Sequence, residues 1–173
     1  MISNNRLTYL IMKTKISVIP KALRYVILLM YCLVPPKELR AQILHPVKWS
    51  YAAKITGPNE AVVFIRATID DGWHIYSTAQ QEGGPVKTSF SFKTSKDYML
   101  DGSIAEPGPL TKYESAFGMT VSYFEKVVTF QQKVSLKASV PDKYVISGTL
   151  RYMVCNDHQC LPPEDVAFSI PLK

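Results

Sequence analysis

Cys155 and Cys160 are the residues of this chain whose type and spacing carry chemistry. Four residues, Asn156-Asp157-His158-Gln159, separate them. An apolar, alternating run ending in Tyr152-Met153-Val154 leads in, and Leu161-Pro162-Pro163-Glu164 leads out. Two prolines stop a helix or a central strand there, because each lacks an amide donor and fixes φ. The segment reads as a small loop at the end of a β-hairpin, where facing Cα atoms approach to about 5.5 Å and two sulfurs can bond. Such a pair is either a structural staple or an exchangeable dithiol. Chain-entropy stabilisation grows with the length of loop closed, so a bridge this short is a weak staple, and redox chemistry is favoured. The spacing is not the Cys-x-x-Cys of thioredoxin sites, and no helix N-terminus follows to lower a thiol pKa.

Other residues carry less. His158, with Cys155, Cys160 and Met153, offers a donor set suited to soft copper. That set requires the cysteines to stay reduced, so an exposed loop histidine is the preferred reading, and no cofactor or resident metal is expected. Glu114 and Asp71 are candidates for proton transfer but read first as solvated turn residues. Trp49 and Trp73 read as core.

The remaining cysteine, Cys32, lies in a leader-like segment. Residues 1–42 hold seven of the 20 basic residues and one of the 14 acidic ones, leaving 13 of each in the rest of the chain. The formal charge of +6 therefore belongs to the N-terminal segment. A neutral domain without a basic run gives no electrostatic footprint for nucleic acid. Lys13, Lys15, Lys21 and Arg24 precede a ten-residue apolar run, Tyr25–Val34. This is signal-peptide organisation, with cleavage expected after Ala41. The run is too short to cross roughly 30 Å of hydrocarbon. The expected organisation is a leader, 1–41, and one domain, 42–173, exported to the periplasm, soluble, and free of a stable membrane anchor. The bulky Tyr31 before Cys32 argues against lipidation. Removal of the leader leaves two cysteines, an even count that suits an oxidising compartment.

The elements that must hold the pair are strands. Val47, Trp49, Tyr51 and Ala53 alternate with smaller or polar residues, and Ala61–Ile69 is rich in β-branched side chains. Gly57-Pro58-Asn59-Glu60, Asp70-Asp71-Gly72 and Pro141-Asp142 are turn sequences. Trp73–Tyr76 reads as a short aromatic strand, Thr78–Pro85 as a polar loop, and Thr88–Phe92 and Tyr98–Ile104 as strands, the latter interrupted at Gly102. Ser122–Val134 has strand character throughout. Tyr144–Cys155 reads as one long strand, and Val166, Phe168, Ile170 and Leu172 alternate to the end. No window has a helical period. Seven to nine strands in two antiparallel sheets are expected, an all-β, immunoglobulin-like sandwich. Pro107–Val121 reads as a long irregular stretch, too apolar at Tyr113, Phe117 and Met119 for a solvated loop, and is expected to fold back over something.

Three pieces carry a family resemblance: Leu150–Cys155 with Cys160-Leu161-Pro162-Pro163-Glu164, Asp71-Gly72-Trp73-His74-Ile75-Tyr76, and Tyr113-Glu114-Ser115-Ala116-Phe117-Gly118. Together they resemble the N-terminal periplasmic domain of the thiol:disulfide interchange protein DsbD, over roughly Val47 to Leu172. The resemblance implies an immunoglobulin-like sandwich with a redox-active disulfide at one end. It implies a thiol-disulfide oxidoreductase of the protein-disulfide reductase type, passing electrons between thioredoxin-like proteins and periplasmic disulfide proteins. Cys160 takes the role of the cysteine that forms the mixed disulfide, and Cys155 resolves it. Phe117 matches the aromatic cap, and His74, Tyr76 and Glu114 fall among residues lining the site. The chain departs from the family in a cysteine loop one residue shorter and in His74, where the family has tyrosine. The sequence ends at Lys173 without an electron channel, so a separate transmembrane donor is expected. Two other readings remain open: an immunoglobulin-like binding module with a structural disulfide, and a periplasmic copper-binding protein.

Overall fold

The computed structural model describes residues 44–137 and 144–172, with the isolated positions 20, 22 and 25. The expected cleavage site and the turn at Pro141-Asp142 lie outside the described residues. The chain divides into two units, 1–43 and 44–173, and among the described residues every strand belongs to the second. Among the described residues no helix is long and apolar enough to cross a membrane.

The second unit is an all-β, immunoglobulin-like antiparallel sandwich. Its strands are β1 (Val47–Gly57), β2 (Glu60–Ile69), β3 (His74–Tyr76), β4 (Ser89–Phe92), β5 (Tyr98–Ala105), β6 (Leu110–Glu114), β7 (Met119–Glu125), β8 (Val127–Leu136), β9 (Val145–Tyr152), β10 (Val154–Cys155) and β11 (Glu164–Pro171). They form three ladders, ordered β1-β2-β8-β5, β11-β9-β4 and β10-β3-β7-β6.

The first two ladders are the layers of the sandwich. Alternation puts Val63, Ile65 and Ala67 of β2 and Val128, Phe130 and Val134 of β8 inward, and Ile146 and Leu150 of β9 face them. The layers meet through rings: Trp49 stands edge-on to Tyr152 at 5.3 Å, Tyr51 stacks on Phe168 at 5.9 Å, and Phe90 lies 5.0 Å from Phe130. Burying side chains of this size contributes about 1.5–3 kcal/mol each. Gly148 at the middle of β9 is required by closeness. A Cβ there would meet the Ser91 carbonyl oxygen and come within 2.6 Å of Phe168.

Three sequence expectations are corrected. The strand count among the described residues is eleven rather than seven to nine. Ser122–Val134 is two strands, because Lys126 takes a positive φ of 60° and hands the chain from the third ladder to the first. Tyr144–Cys155 is also divided: Met153 is outside strand geometry, so β9 pairs with β11 and β4 while β10 pairs with β3. The interruption at Gly102 is present. The β5–β8 register shifts between Asp101 and Ala105, Gly102 has φ 67°, and the buried Gln132 amide donates to both the Asp101 and Gly102 carbonyls at 3.2 Å.

Candidate functional site

The third ladder, β10-β3-β7-β6, has two faces that part by strand parity. Ile75, Phe124 and Val154 point into the main core, with Phe124 edge-on to Phe130 at 5.9 Å. Their neighbours in sequence point the other way. Tyr76, Val121 and Cys155 form a second buried cluster, with Phe117, Met119, Tyr123 and Met153 packed against it. One small sheet thus ties the core to the cysteines.

Cys155 and Cys160 are bonded, with an S–S length of 2.04 Å and Cα atoms 4.0 Å apart. They face each other in an isolated antiparallel bridge. The Asn156 amide donates to the Gln159 carbonyl and the Leu161 amide to the Val154 carbonyl, each at 2.9 Å, so the cysteines occupy the narrow pair between two hydrogen-bonded ones. Asn156 Oδ1 accepts from the amides of His158 at 2.9 Å and Gln159 at 2.8 Å, shaping the loop as asparagine does in turns. The two sulfur residues differ in access: Cys155 is 1% exposed, whereas Cys160 lies at the surface.

The segment expected to be irregular is a hairpin. β6 pairs with β7 from Leu110↔Tyr123 to Glu114↔Met119, and Ser115–Gly118 is the turn. The amides of Phe117 and Gly118 donate to the Glu114 carbonyl at 3.1 and 2.9 Å, and Gly118 closes the turn at φ 65°, a region glycine enters without Cβ strain. Phe117, half-buried at this tip, meets Tyr76 edge-on at 6.4 Å. Phe117 and Met119 do fold back, over the Cys155 cluster; Tyr113 does not, being 68% exposed.

His74 stands opposite Cys155 in the β3–β10 register and is 2% exposed. Its Nε2 is 3.3 Å from the Tyr76 hydroxyl and 3.9 Å from Glu114 Oε2, and its ring meets Tyr123 edge-on at 5.3 Å. Burial, with Lys112 acting in the same direction, lowers the His74 pKa to about 4 against the opposing pull of Glu114 and Asp157. The imidazole is therefore neutral near neutrality. Burial and then the Glu114 charge push the Tyr76 phenol well above its ordinary value, so it keeps its proton. Glu114 is not a solvated turn residue: it ends β6, partly enclosed, with Lys112 Nζ 3.1 Å from its carboxylate. Asp71 is exposed in its turn. His158 is exposed on the loop, while the two cysteine sulfurs of that copper set are bonded to each other.

A family match joins this geometry. The family described as "Thiol:disulfide interchange protein DsbD, N-terminal" matches residues 40–171. The chain belongs to the DsbD N-terminal domain family. Among solved structures it is similar to the N-terminal periplasmic domain of ScsB from Proteus mirabilis, with TM-score 0.55 and 16% identity, covering 75% of this chain and 47% of that one. The chain thus spans about half the length of that protein's structure. It is also similar to the reduced DsbD N-terminal domain of Neisseria meningitidis, with TM-score 0.47 and 20% identity over 82% of this chain and 91% of that one. A third similar structure is from the complex of the Neisseria meningitidis DsbD and PilB N-terminal domains, with TM-score 0.47 and 17% identity over 79% and 86%. No curated protein matches.

Within this DsbD-type domain the structure gathers Cys155, His74, Tyr76, Glu114 and Phe117 about one face of the third ladder, with Cys160 bonded to Cys155. Sequence reading missed Lys112 and Tyr123, whose contact is a cation over a ring at 5.1 Å. The signal was present: Lys112 and Glu114 are two apart, as are Val121 and Tyr123, which puts each pair on one side of a strand. Regarding Pro107–Val121 as irregular hid it. Behind the site, Gln80 Oε1 accepts the Ser122 amide at 2.8 Å, and Glu106 accepts from the Ser77 hydroxyl and the Thr78 amide, fixing the loop after β3.

Proposed function

We propose that this domain is a periplasmic thiol-disulfide exchange carrier of the protein-disulfide reductase type, delivered by its leader and working through Cys155 and Cys160. The observation that carries the reading is the asymmetric disulfide, one cysteine enclosed and the other at the surface, in a domain of a thiol:disulfide interchange family. Exchange proceeds by a thiolate attacking along an open approach to sulfur. Access supports Cys160 as the residue that bonds to a partner and Cys155 as the one that resolves the mixed disulfide. In the electron-delivering direction, the Cys160 thiolate attacks a client disulfide and one client sulfur leaves. Cys155 then attacks Cys160 Sγ, the second client sulfur leaves, and the internal bridge re-forms. A thioredoxin-like dithiol reverses these steps to recharge the pair. The position of Phe117 against the Cys155 cluster supports its assignment as a cap that a docking protein displaces.

Incubation with a reduced thioredoxin-like protein, followed by thiol alkylation and mass measurement, tests the proposal. Two alkylated cysteines are expected. A pair that stays blocked in a folded protein, with a midpoint potential below about −300 mV, identifies a structural bridge and removes the exchange function.

A further inference from the structure

The face that holds Cys155 also holds a titratable pair to which the exchange steps assign no part. His74 is the direct cross-strand neighbour of Cys155. Facing residues of an antiparallel pair project to the same side, with Cβ atoms about 4.5–5.5 Å apart. A buried cysteine presents a difficulty to resolution. Its sulfur must shed a proton to become a nucleophile, and burial in apolar surroundings holds that proton on. Cys155 is 1% exposed, with Tyr76, Val121 and Met153 packed about it, which favours a base supplied by the protein.

We propose that His74 is the proton partner of Cys155: its imidazole takes the thiol proton as Cys155 attacks Cys160 to close the bridge, and supplies a proton to Cys155 when the bridge opens. The inference rests on the exchange function proposed for this pair. On closure, Cys155 starts as a thiol and Cys160 is joined to a client sulfur. The Cys155 proton passes to a His74 ring nitrogen. The sulfur's electron pair forms the bond to Cys160 Sγ, and the bond from Cys160 to the client breaks with its electrons on the client thiolate. The imidazolium then releases its proton to that thiolate or to water. Two protein thiols are oxidised and one client disulfide is reduced. On opening, the donor thiolate attacks Cys160, Cys155 leaves with the electron pair, and the proton travels back.

The surroundings suit the task. A neutral imidazole is a base only if its cationic form can be tolerated for a moment, and Glu114 Oε2 lies 3.9 Å from Nε2 to tolerate it. Burial first, and then Lys112, bound to that same carboxylate at 3.1 Å, oppose the cation and keep the resting ring neutral. Tyr76 holds the ring through the 3.3 Å contact at Nε2. Asp157 acts on the ring from the cysteine loop, and exposed Glu125 faces it in register on β7. Tyr123 covers its edge. These groups favour a ring that changes charge transiently rather than one that rests charged.

A two-phase reaction separates the steps. Reduced protein is mixed with a chromogenic bis(nitrobenzoate) disulfide. The first nitrobenzoate thiolate is released as the exposed Cys160 reacts, and the second as Cys155 resolves. In His74→Gln the ratio of the second rate to the first should fall about tenfold or more near neutrality. The second phase of the variant should also climb about tenfold per pH unit, as a rate set by thiolate fraction must, whereas the wild-type second phase is flatter. A structural defect would not change the pH dependence of one phase alone. A phase ratio and pH profile equal to wild type would overturn the assignment. Should His74→Gln fail to fold, the ring titration of His74 in wild-type protein decides, measured by NMR in both redox states. A midpoint lower in the reduced form than in the oxidised one, as a thiol proton donated to the neutral ring requires, supports proton sharing with Cys155, and superimposable titrations overturn it. A wild type that exchanges with a thioredoxin-like protein while His74 fails these tests loses only the His74 role. A wild type that does not exchange loses the function itself.

Discussion

Cys155 and Cys160 share a bond but not an environment, and that difference sets what their neighbours do. Phe117 packs against the cluster of the enclosed cysteine, and in the proposed cap role its ring slows small thiols while a docking protein moves it. Phe117→Ala is expected to raise the rate of reduction by glutathione several-fold more than the rate with a thioredoxin-like protein. The half-buried ring gives up about 1 kcal/mol of stability, read as a small shift of the denaturation midpoint. Equal glutathione rates in the two proteins would show that Phe117 shields nothing. His74 makes a second expectation. Its folded pKa of about 4 lies below the ordinary histidine value of about 6.5, so the unfolded chain binds the proton more readily. The contribution of this group to stability is fully present above about pH 6.5 and is lost as pH falls toward 4, by no more than about 3 kcal/mol. Denaturant unfolding of oxidised wild type and His74→Gln across this window should therefore show a shallower acid loss in the variant. Parallel curves would mean that His74 is not held neutral by burial.

At the scale of strands, three backbone positions determine how the elements meet. Gly148 lies where β9 is covered by Ser91 of β4 and Phe168 of β11. Gly148→Ala should cost about 1–3 kcal/mol through overpacking, measured by thermal or denaturant unfolding, and an unchanged midpoint would show that β4 can move aside. Gly118 closes the β6–β7 turn at a positive φ with open space around it. Gly118→Ala therefore meets conformational strain alone, about 1–2 kcal/mol. Lys126 carries the same kind of strain natively at φ 60°, where the chain passes from β7 to β8. Lys126→Gly should leave stability unchanged or raise it by up to about 1 kcal/mol; a clear loss would show that the lysine side chain contributes contacts of its own.

At the scale of the whole chain, two units divide the work the sequence suggests. The positive segment and the apolar run at Tyr25–Val34 lie in the first, and the sandwich with its site in the second. If the leader is removed on export, intact-mass measurement should show a product that starts near Gln42. Its isoelectric point should fall well below the full chain's 9.2, because basic and acidic residues balance in the remainder. A product that keeps Tyr25–Val34 would contradict cleavage.

Local features of the molecule are legible in the order of its residues. Period-two alternation in Val47–Ala53 and Val166–Leu172, and β-branched side chains through Ala61–Ile69, are enough to specify strands. The turns at Gly57–Glu60 and Asp70–Gly72 come from residue chemistry, and a cysteine pair four residues apart before Pro162-Pro163 announces a short bridge. The rest was settled on folding, because pairing is a long-range property. Leu110–Glu114 is short, mixed in polarity and preceded by prolines, and becomes a strand only when β7 supplies its hydrogen bonds. The break at Met153 depends on β9 and β10 choosing different partners, β11 with β4 on one side and β3 on the other. Only the β3–β10 register puts His74 opposite Cys155, and only packing from β3, β7 and the β6–β7 turn encloses Cys155 while leaving Cys160 at the surface. Burial and cross-strand adjacency belong to the folded chain, and no window of sequence contains them.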